Sequence, residues 1–244
     1  MPVLPPPSPS LLDGAALFLD FDGTLVPLTE APDAVRVDAE LCALLRRRRD
    51  ALDGRLAIVS GRSVATLRDS FGLGDFVLAG SHGLEIAYPG SDVIGPARLS
   101  GVDEAEQAFT AFASDKPGLL VERKTLSVGL HFRMAPEWET ACHALAEELA
   151  ARTGLFIQAG KMMFELRPGG ANKGTALAHL IAQPPMAGGT PLFFGDDVTD
   201  EEGFETARAH GGNGVLVGPA RATAAQWHLE QVAAVRHYLD THAA

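Results

Sequence analysis

The chain is 244 residues long and 46% hydrophobic, with 20 basic against 31 acidic residues, a formal net charge of -11 and a pI near 5.1. That length and apolar content allow a sizeable core in one large domain or two modest ones. The acidic balance argues against broad attraction to nucleic acid or an anionic membrane, so an anionic substrate must be met by locally placed positive charge. Cys42 and Cys142 both lie in helical patterning and read as small buried hydrophobes, with no disulfide framework or paired zinc motif on offer. No apolar run reaches the roughly 18 residues of a membrane helix. The segment MPVLPPPSPS lacks the basic and apolar regions of a signal peptide and reads as a disordered tail over residues 1–10. Together these features predict a reducing, cytoplasmic setting.

In chain order, residues 15–19 (AALFL) are apolar on both faces of a strand, as burial in a parallel sheet requires, and the run stops at Asp20. Residues 34–49 carry Val35, Val37, Leu41, Leu44 and Leu45 at helical spacing, with Arg46–Arg49 at the end where the helix dipole favours cations. Leu56–Val59 is a second short apolar run before Ser60-Gly61-Arg62 and a helical stretch over 63–71. Phe76–Ala79 is a third, ending at Gly80-Ser81-His82-Gly83, and Pro191–Phe194 and Gly214–Val217 are the fourth and fifth. Five such runs, each followed by a polar or glycine-rich turn, predict a doubly wound α/β core whose site lies at the carboxyl ends of the strands. Those ends carry Asp20, Ser60, Ser81 and Asp196.

Between about 88 and 168 period-two alternation replaces the continuous runs. Leu126, Val128, Leu130 and Phe132 alternate with polar residues and glycine, and Met162, Phe164 and Leu166 alternate with Lys161, Met163, Glu165 and Arg167. One-sided antiparallel strands under helices at 102–113 and 136–152 predict a smaller α+β domain inserted in the core. The expected division is a core of residues 11–87 and 169–244 and an insert of residues 88–168. After it, Asn172 is a good N-cap for a helix over 173–182, Thr199–Glu202 opens another, and a last helix over 221–240 buries Leu229, Val232, Val235 and Leu239.

Asp20 and Asp22 alone would fit an Asx-turn. The strings DFDGTL, SGR, NKG and GDDVTDE, in that order and each opening a loop or helix, form a set that no packing requirement predicts. That set resembles the haloacid dehalogenase superfamily, and the resemblance implies a Rossmann-like core with a C2-type α+β cap and phosphoryl transfer through an aspartyl-phosphate. By that likeness Asp20 is the nucleophile, Asp22 the general acid/base and Ser60 a phosphoryl-binding residue. Lys173 holds the nucleophile and the phosphoryl oxygens, and Asp20, Asp196, Asp200 and the Asp22 carbonyl hold Mg²⁺. Asp22 two residues after the nucleophile implies a phosphatase or phosphomutase, since ATPase-type members carry threonine there.

Glu122, Lys124, Lys161 and Glu165 put acids and bases together on the insert, which suits a neutral polyol whose hydroxyls need both acceptors and donors. The strings GSHGLE, ERKTLSVGLHFR, GKMMFELRP and FGDDVTDE resemble the trehalose-6-phosphate phosphatase family. The resemblance implies sugar contacts from Glu122, Lys124 and Glu165, with Lys161, Arg62, His82 and Arg133 around the site. His131 reads as a structural partner. The implied reaction is Mg²⁺-dependent hydrolysis of trehalose 6-phosphate by a cytoplasmic monomer. Alternatives are a sucrose- or mannosyl-phosphate phosphatase, a phosphomannomutase-like transferase, and a non-catalytic sugar-phosphate binding module.

Overall fold

A computed structural model describes residues 4–29 and 35–241. The chain divides into two compact units, Met1–Ile94 with Ala171–Ala244, and Gly95–Gly170. The first unit begins with β1 (Ala15–Leu19), α1 (Ala39–Ala51), β2 (Leu56–Val59), β3 (Val77–Gly80) and β4 (Glu85–Ala87). The second unit comprises α2 (Ser100–Ala113), β5 (Leu120–Arg123), β6 (Val128–His131), α3 (Glu139–Thr153), β7 (Phe156–Gly160) and β8 (Met163–Arg167). The chain then returns to the first with α4 (Lys173–Ile181), β9 (Thr190–Gly195), α5 (Glu201–Ala209), β10 (Asn213–Val217), β11 (Trp227–Leu229) and α6 (Val232–Asp240).

The first unit is built on a seven-stranded sheet in the order β11-β10-β9-β1-β2-β3-β4, parallel except for β4. All five residues of β1 are buried, which is why the run AALFL contains no polar residue. Ala15, Leu17 and Leu19 pack with Leu41 and Leu45 of α1 and Val235 of α6, while Ala16 and Phe18 pack with Leu177 and Leu180 of α4 and Phe204 of α5. Helices thus cover both faces. Chain order runs one way from β1 to β2 and the other way from β1 to β9, so the switch point of the sheet lies between β1 and β9. Loops at the carboxyl ends of two such strands diverge and leave a crevice for a ligand.

The second unit is a four-stranded antiparallel sheet in the order β5-β6-β8-β7. Val128, Leu130, Phe164 and Leu166 share its apolar face with Val102 and Phe109 of α2 and Cys142 and Leu149 of α3. The register Gly129↔Glu165 and Glu122↔Gly129 brings the polar positions into line on the other face.

Four expectations change. The last helix is shorter, because Trp227–Leu229 instead pairs with β10 and Trp227 Nε1 donates to Asn213 Oδ1 at 3.0 Å. Leu229 is therefore partly buried on a strand rather than on a helix. Of the expected disordered tail, residues 4–10 are packed: His228 N–H donates to the Pro5 carbonyl at 3.0 Å and Tyr238 Oη to the Ser8 carbonyl at 2.8 Å. The edge strand β11 offers unsatisfied donors that this segment covers, and residues 1–3 lie outside the described residues. Residues 88–94 stay with the first unit, because Ile94 pairs with Ile86 of β4. Finally, α1 begins at Ala39, where Asp38 accepts the Leu41 N–H at 2.6 Å; residues 30–34 of the expected helix region lie outside the described residues. Among the described residues no helix is long and apolar enough to cross a membrane.

Candidate active site

Asp20 follows β1 at the switch point, and its N–H continues the pairing with β9 by donating to the Phe194 carbonyl at 2.9 Å. Asp20 is 3% exposed, and its carboxylate accepts from Lys173 Nζ at 2.7 Å. Lys173 opens α4 because Asn172 caps that helix, its Oδ1 accepting from Thr175 N–H at 2.7 Å while Thr175 Oγ1 accepts from Asn172 N–H at 3.0 Å. The same ammonium donates to Asp200 Oδ1 at 2.6 Å, and Asp200 Oδ2 accepts the N–H groups of Asp196 and Asp197 at 3.0 and 2.9 Å. Asp20, Asp196 and Asp200 consequently each offer a carboxylate oxygen within 4.8 Å of the others.

Two glycines permit this approach. A Cβ on Gly23, which has φ +85°, would lie 2.2 Å from Asp196 Oδ2, and one on Gly195 would lie 2.3 Å from Asp200 Cγ. A side chain at either position would push into the carboxylates.

Three acids around one lysine leave an excess of negative charge. Burial, with Asp200 and Asp196 alongside, raises the Asp20 carboxyl well above the ordinary range against the pull of Lys173. Burial and Asp200 push Asp196 up to about 7. Burial opposes the charge of Lys173, but Asp20 and Asp200 outweigh it, so its pKa is raised and it stays an ammonium. Hard carboxylate oxygens in surplus over their cation are a donor set that fits Mg²⁺.

Asp22 goes elsewhere. The turn after Asp20 closes with Gly23 N–H on the Val26 carbonyl at 2.7 Å, and Arg62 takes the Asp22 carboxylate in a two-pronged pair, Nε to Oδ2 at 2.7 Å and Nη2 to Oδ1 at 2.8 Å. The Arg62 guanidinium also lies over the rings of Phe71 and Phe21, at 5.1 and 5.8 Å from their centroids. The two aspartates of DFDGTL thus have different cationic partners. Ser60, buried after β2, accepts the Arg62 N–H on its Oγ at 3.1 Å.

The next loop is tied to this one. Ser81 N–H donates to the Arg62 carbonyl at 2.8 Å and His82 N–H to the Ser60 carbonyl at 3.0 Å. Both residues have left-handed backbones, φ +49° and +55°, a conformation costing a non-glycine residue about 1–2 kcal/mol. The His82 imidazole lies over Gly61, where a Cβ would come within 2.6 Å of Nε2. Sequence reasoning gave Glu85 no role, yet it is 4% exposed and accepts from Ser81 Oγ at 2.7 Å and Val64 N–H at 3.0 Å.

Within the second unit, Glu165 is 3% exposed and accepts from Lys124 Nζ and Ser127 Oγ, both at 2.5 Å. Lys124 Nζ also lies 3.6 Å from Glu122 Oε2, which pairs with His131 Nε2 at 2.9 Å. Burial raises the Glu122 carboxyl, but the His131 hydrogen bond and Lys124 outweigh it and hold it below its ordinary value. The polar face is more buried than alternation implies, because these groups cover one another. Lys161 differs from expectation: it lies exposed in the β7–β8 turn, before the strand begins at Met163, so it does not share the strand face with Glu165. Its carbonyl accepts from Arg133 Nη2 at 3.3 Å.

A family model described as trehalose-phosphatase matches residues 18–233. Among curated proteins, the chain is 40% identical over 210 residues to a probable trehalose-phosphate phosphatase of Sinorhizobium fredii, covering 85% of this chain and 79% of that one. It is 35% identical over 240 residues to the trehalose-6-phosphate phosphatase of Escherichia coli, covering 96% and 88% respectively. Among solved structures, the C-terminal domain of a Candida albicans trehalose-6-phosphate phosphatase superimposes with a TM-score of 0.83 at 26% identity, over 98% of each chain. A trehalose-6-phosphate phosphatase related protein gives 0.81 at 30% identity, over 93% of this chain and 96% of the other.

Proposed function

Because this chain belongs to the trehalose-phosphatase family, we propose that it hydrolyses trehalose 6-phosphate to trehalose and inorganic phosphate with Asp20 as nucleophile. The observation that carries the mechanism is the buried Lys173 joining Asp20 to Asp200 beside Asp196, with Asp22 held apart by Arg62.

Phosphate monoesters are among the slowest substrates to hydrolyse, with accelerations up to roughly 10²¹-fold. Asp20, Asp196, Asp200 and the backbone carbonyl of Asp22 would hold a magnesium ion, which would supply the charge neutralisation that lets a carboxylate approach a phosphate dianion. An Asp20 oxygen attacks phosphorus, and the bond from phosphorus to the sugar oxygen breaks as Asp22, which takes up a proton from solvent when Arg62 releases it, donates that proton to the sugar oxygen. Asp22 then takes a proton from water, whose oxygen attacks the aspartyl-phosphate. The bond to Asp20 breaks, inorganic phosphate leaves, and both aspartates return to their starting forms. Lys173 stabilises charge on the phosphoryl oxygens while orienting Asp20, and Ser60 donates to the same group. Arg62 occupies both Asp22 oxygens here, so turnover requires at least one of those hydrogen bonds to give way to substrate.

Glu122, Lys124 and Glu165 are proposed to read sugar hydroxyls, their alternating acceptors and donors already arranged by mutual pairing. Lys161, Arg62 and His82 are proposed as further substrate contacts, Arg62 at the phosphoryl group beside Ser60. The protein is proposed to act on this small molecule as a cytoplasmic monomer, without nucleic acid or membrane as partner.

The test is phosphate release from trehalose 6-phosphate, glucose 6-phosphate and mannose 6-phosphate. The disaccharide is expected to turn over fastest, EDTA to stop the reaction, and Asp20→Asn to be folded but inactive. Equal rates on the monosaccharide phosphates would refute disaccharide selectivity, and an active Asp20→Asn variant would refute the nucleophile.

A further inference from the structure

We propose that Glu85 is a positioning residue, fixing Ser60 and Arg62 for the phosphoryl group through the left-handed pair Ser81–His82. The inference rests on the roles proposed above for Arg62 and Ser60. The carbonyls on either side of Gly61 are bound by the N–H groups of two consecutive residues, Ser81 on Arg62 and His82 on Ser60. Two neighbouring N–H groups can reach the loop in this way with Ser81 and His82 at φ +49° and +55°. Such backbones persist where surrounding contacts over-determine them, and they cluster at sites of function.

Glu85 is one of those contacts. Its Oε2 receives the Ser81 hydroxyl from one loop and the Val64 N–H from the other, two residues beyond Arg62. There is no slack between the loops: a Cβ on Gly80 would meet Val64 N at 2.6 Å and the Arg62 carbonyl at 2.9 Å, and Gly61 is filled by the His82 ring. On the far side, a Cβ on Gly83 would lie 2.6 Å from the Asn172 carbonyl, immediately before Lys173. A carboxylate is costly to bury, and packing alone would be met by an apolar side chain. What it adds is an acceptor, Oε2, shared by the Ser81 hydroxyl and the Val64 N–H; methionine fills the same space and accepts from neither. A guanidinium that must release an Asp22 oxygen to substrate needs its backbone held, here at the carbonyls on either side of Gly61, so that the freed prong reaches the right place, and small displacements at a reacting centre cost roughly 100-fold in rate.

The experiment is a double-mutant cycle on kcat/KM with trehalose 6-phosphate and Mg²⁺: wild type, Glu85→Met, Arg62→Lys and the double variant. Lysine keeps the charge without the two-pronged geometry. Glu85→Met is expected to lower kcat/KM roughly 10- to 100-fold beside Arg62 and less than about threefold beside Lys. A purely structural Glu85 would give the same factor in both backgrounds, which would overturn the proposal, as would undiminished activity in Glu85→Met. If Glu85→Met does not fold, Ser81→Ala, which removes one hydroxyl, goes through the same cycle with an expected roughly 3- to 10-fold loss confined to the Arg62 background. Wild-type protein without turnover overturns the phosphatase reading and this proposal together, whereas an active wild type with equal factors overturns this proposal alone.

Discussion

Lys173→Met is the most informative single change. The ammonium sits 2.7 Å from Asp20 and 2.6 Å from Asp200, with side-chain exposures of 5, 4 and 0% for the three residues. Methionine fills similar space without charge, leaving three acids whose oxygens lie within 4.8 Å of one another. At that separation and an effective dielectric of about 20, each ionised pair repels by about 3.5 kcal/mol. Proton uptake limits the damage, since Asp20 is already raised and Asp196 already stands at about 7. The net loss is therefore that of a broken buried pair, about 3–5 kcal/mol at neutral pH, or roughly 6–20 °C in Tm for a domain of this size. In EDTA the deficit should shrink as pH falls from 8 to 5: the folded carboxyls bind protons that the unfolded ones do not, so stability rises as pH falls through that window. Mg²⁺ should raise the Tm of the variant more than that of the wild type, because its site carries one more uncompensated negative charge. Thermal unfolding by circular dichroism, in EDTA and in Mg²⁺ at three pH values, measures all of this. A variant within 2 °C of wild type in EDTA at pH 8 would refute the charge argument.

Other changes probe the supports of the site. Gly23→Ala places a Cβ 2.2 Å from Asp196 Oδ2 on a backbone with φ +85°, and should cost about 1–3 kcal/mol while abolishing the Mg²⁺-induced rise in Tm. Asp38→Ala removes the cap on Leu41 and the ion pair with Arg236, and should lower stability by about 1 kcal/mol in urea titration with activity intact. The Asp38 carboxyl is held low by Arg236 and Leu41, so its contribution is present above pH 4 or so and lost as pH falls through its folded value; an unchanged urea midpoint at pH 7 would contradict it. Glu122→Gln tests the same sign in the second unit: a lowered folded pKa stabilises above the ordinary 4.5 and ceases to do so in acid, so wild type should lose more stability than the variant between pH 5 and 3.

Much of the core was legible in the chain alone. A strand buried on both faces of a parallel sheet must be apolar throughout, and a site at the carboxyl ends must place its polar residue next, so AALFLD and LAIVS announce both strand and site. The alternation through Val128, Leu130, Phe164 and Leu166 likewise reports a sheet with one buried face. Edge strands carry weaker signals: Glu85–Ala87 and Trp227–Leu229 are three residues each and exist because a neighbouring strand offers hydrogen bonds, which no local pattern encodes. The packing of the proline-rich segment has the same origin, since its partners His228 and Tyr238 stand more than two hundred residues away in sequence. Within the site, the chain supplies the acids, the lysine and the arginine, and the family resemblance implies that Lys173 holds Asp20, but the other pairings are not written there. That Lys173 also reaches Asp200, that Asp22 goes to Arg62, and that Glu85 braces the loop carrying Arg62, follows from distances between segments remote in sequence. Residue type and spacing determine which chemistry is possible, because they depend on the local chain; partnership, burial and charge balance depend on what the fold brings alongside.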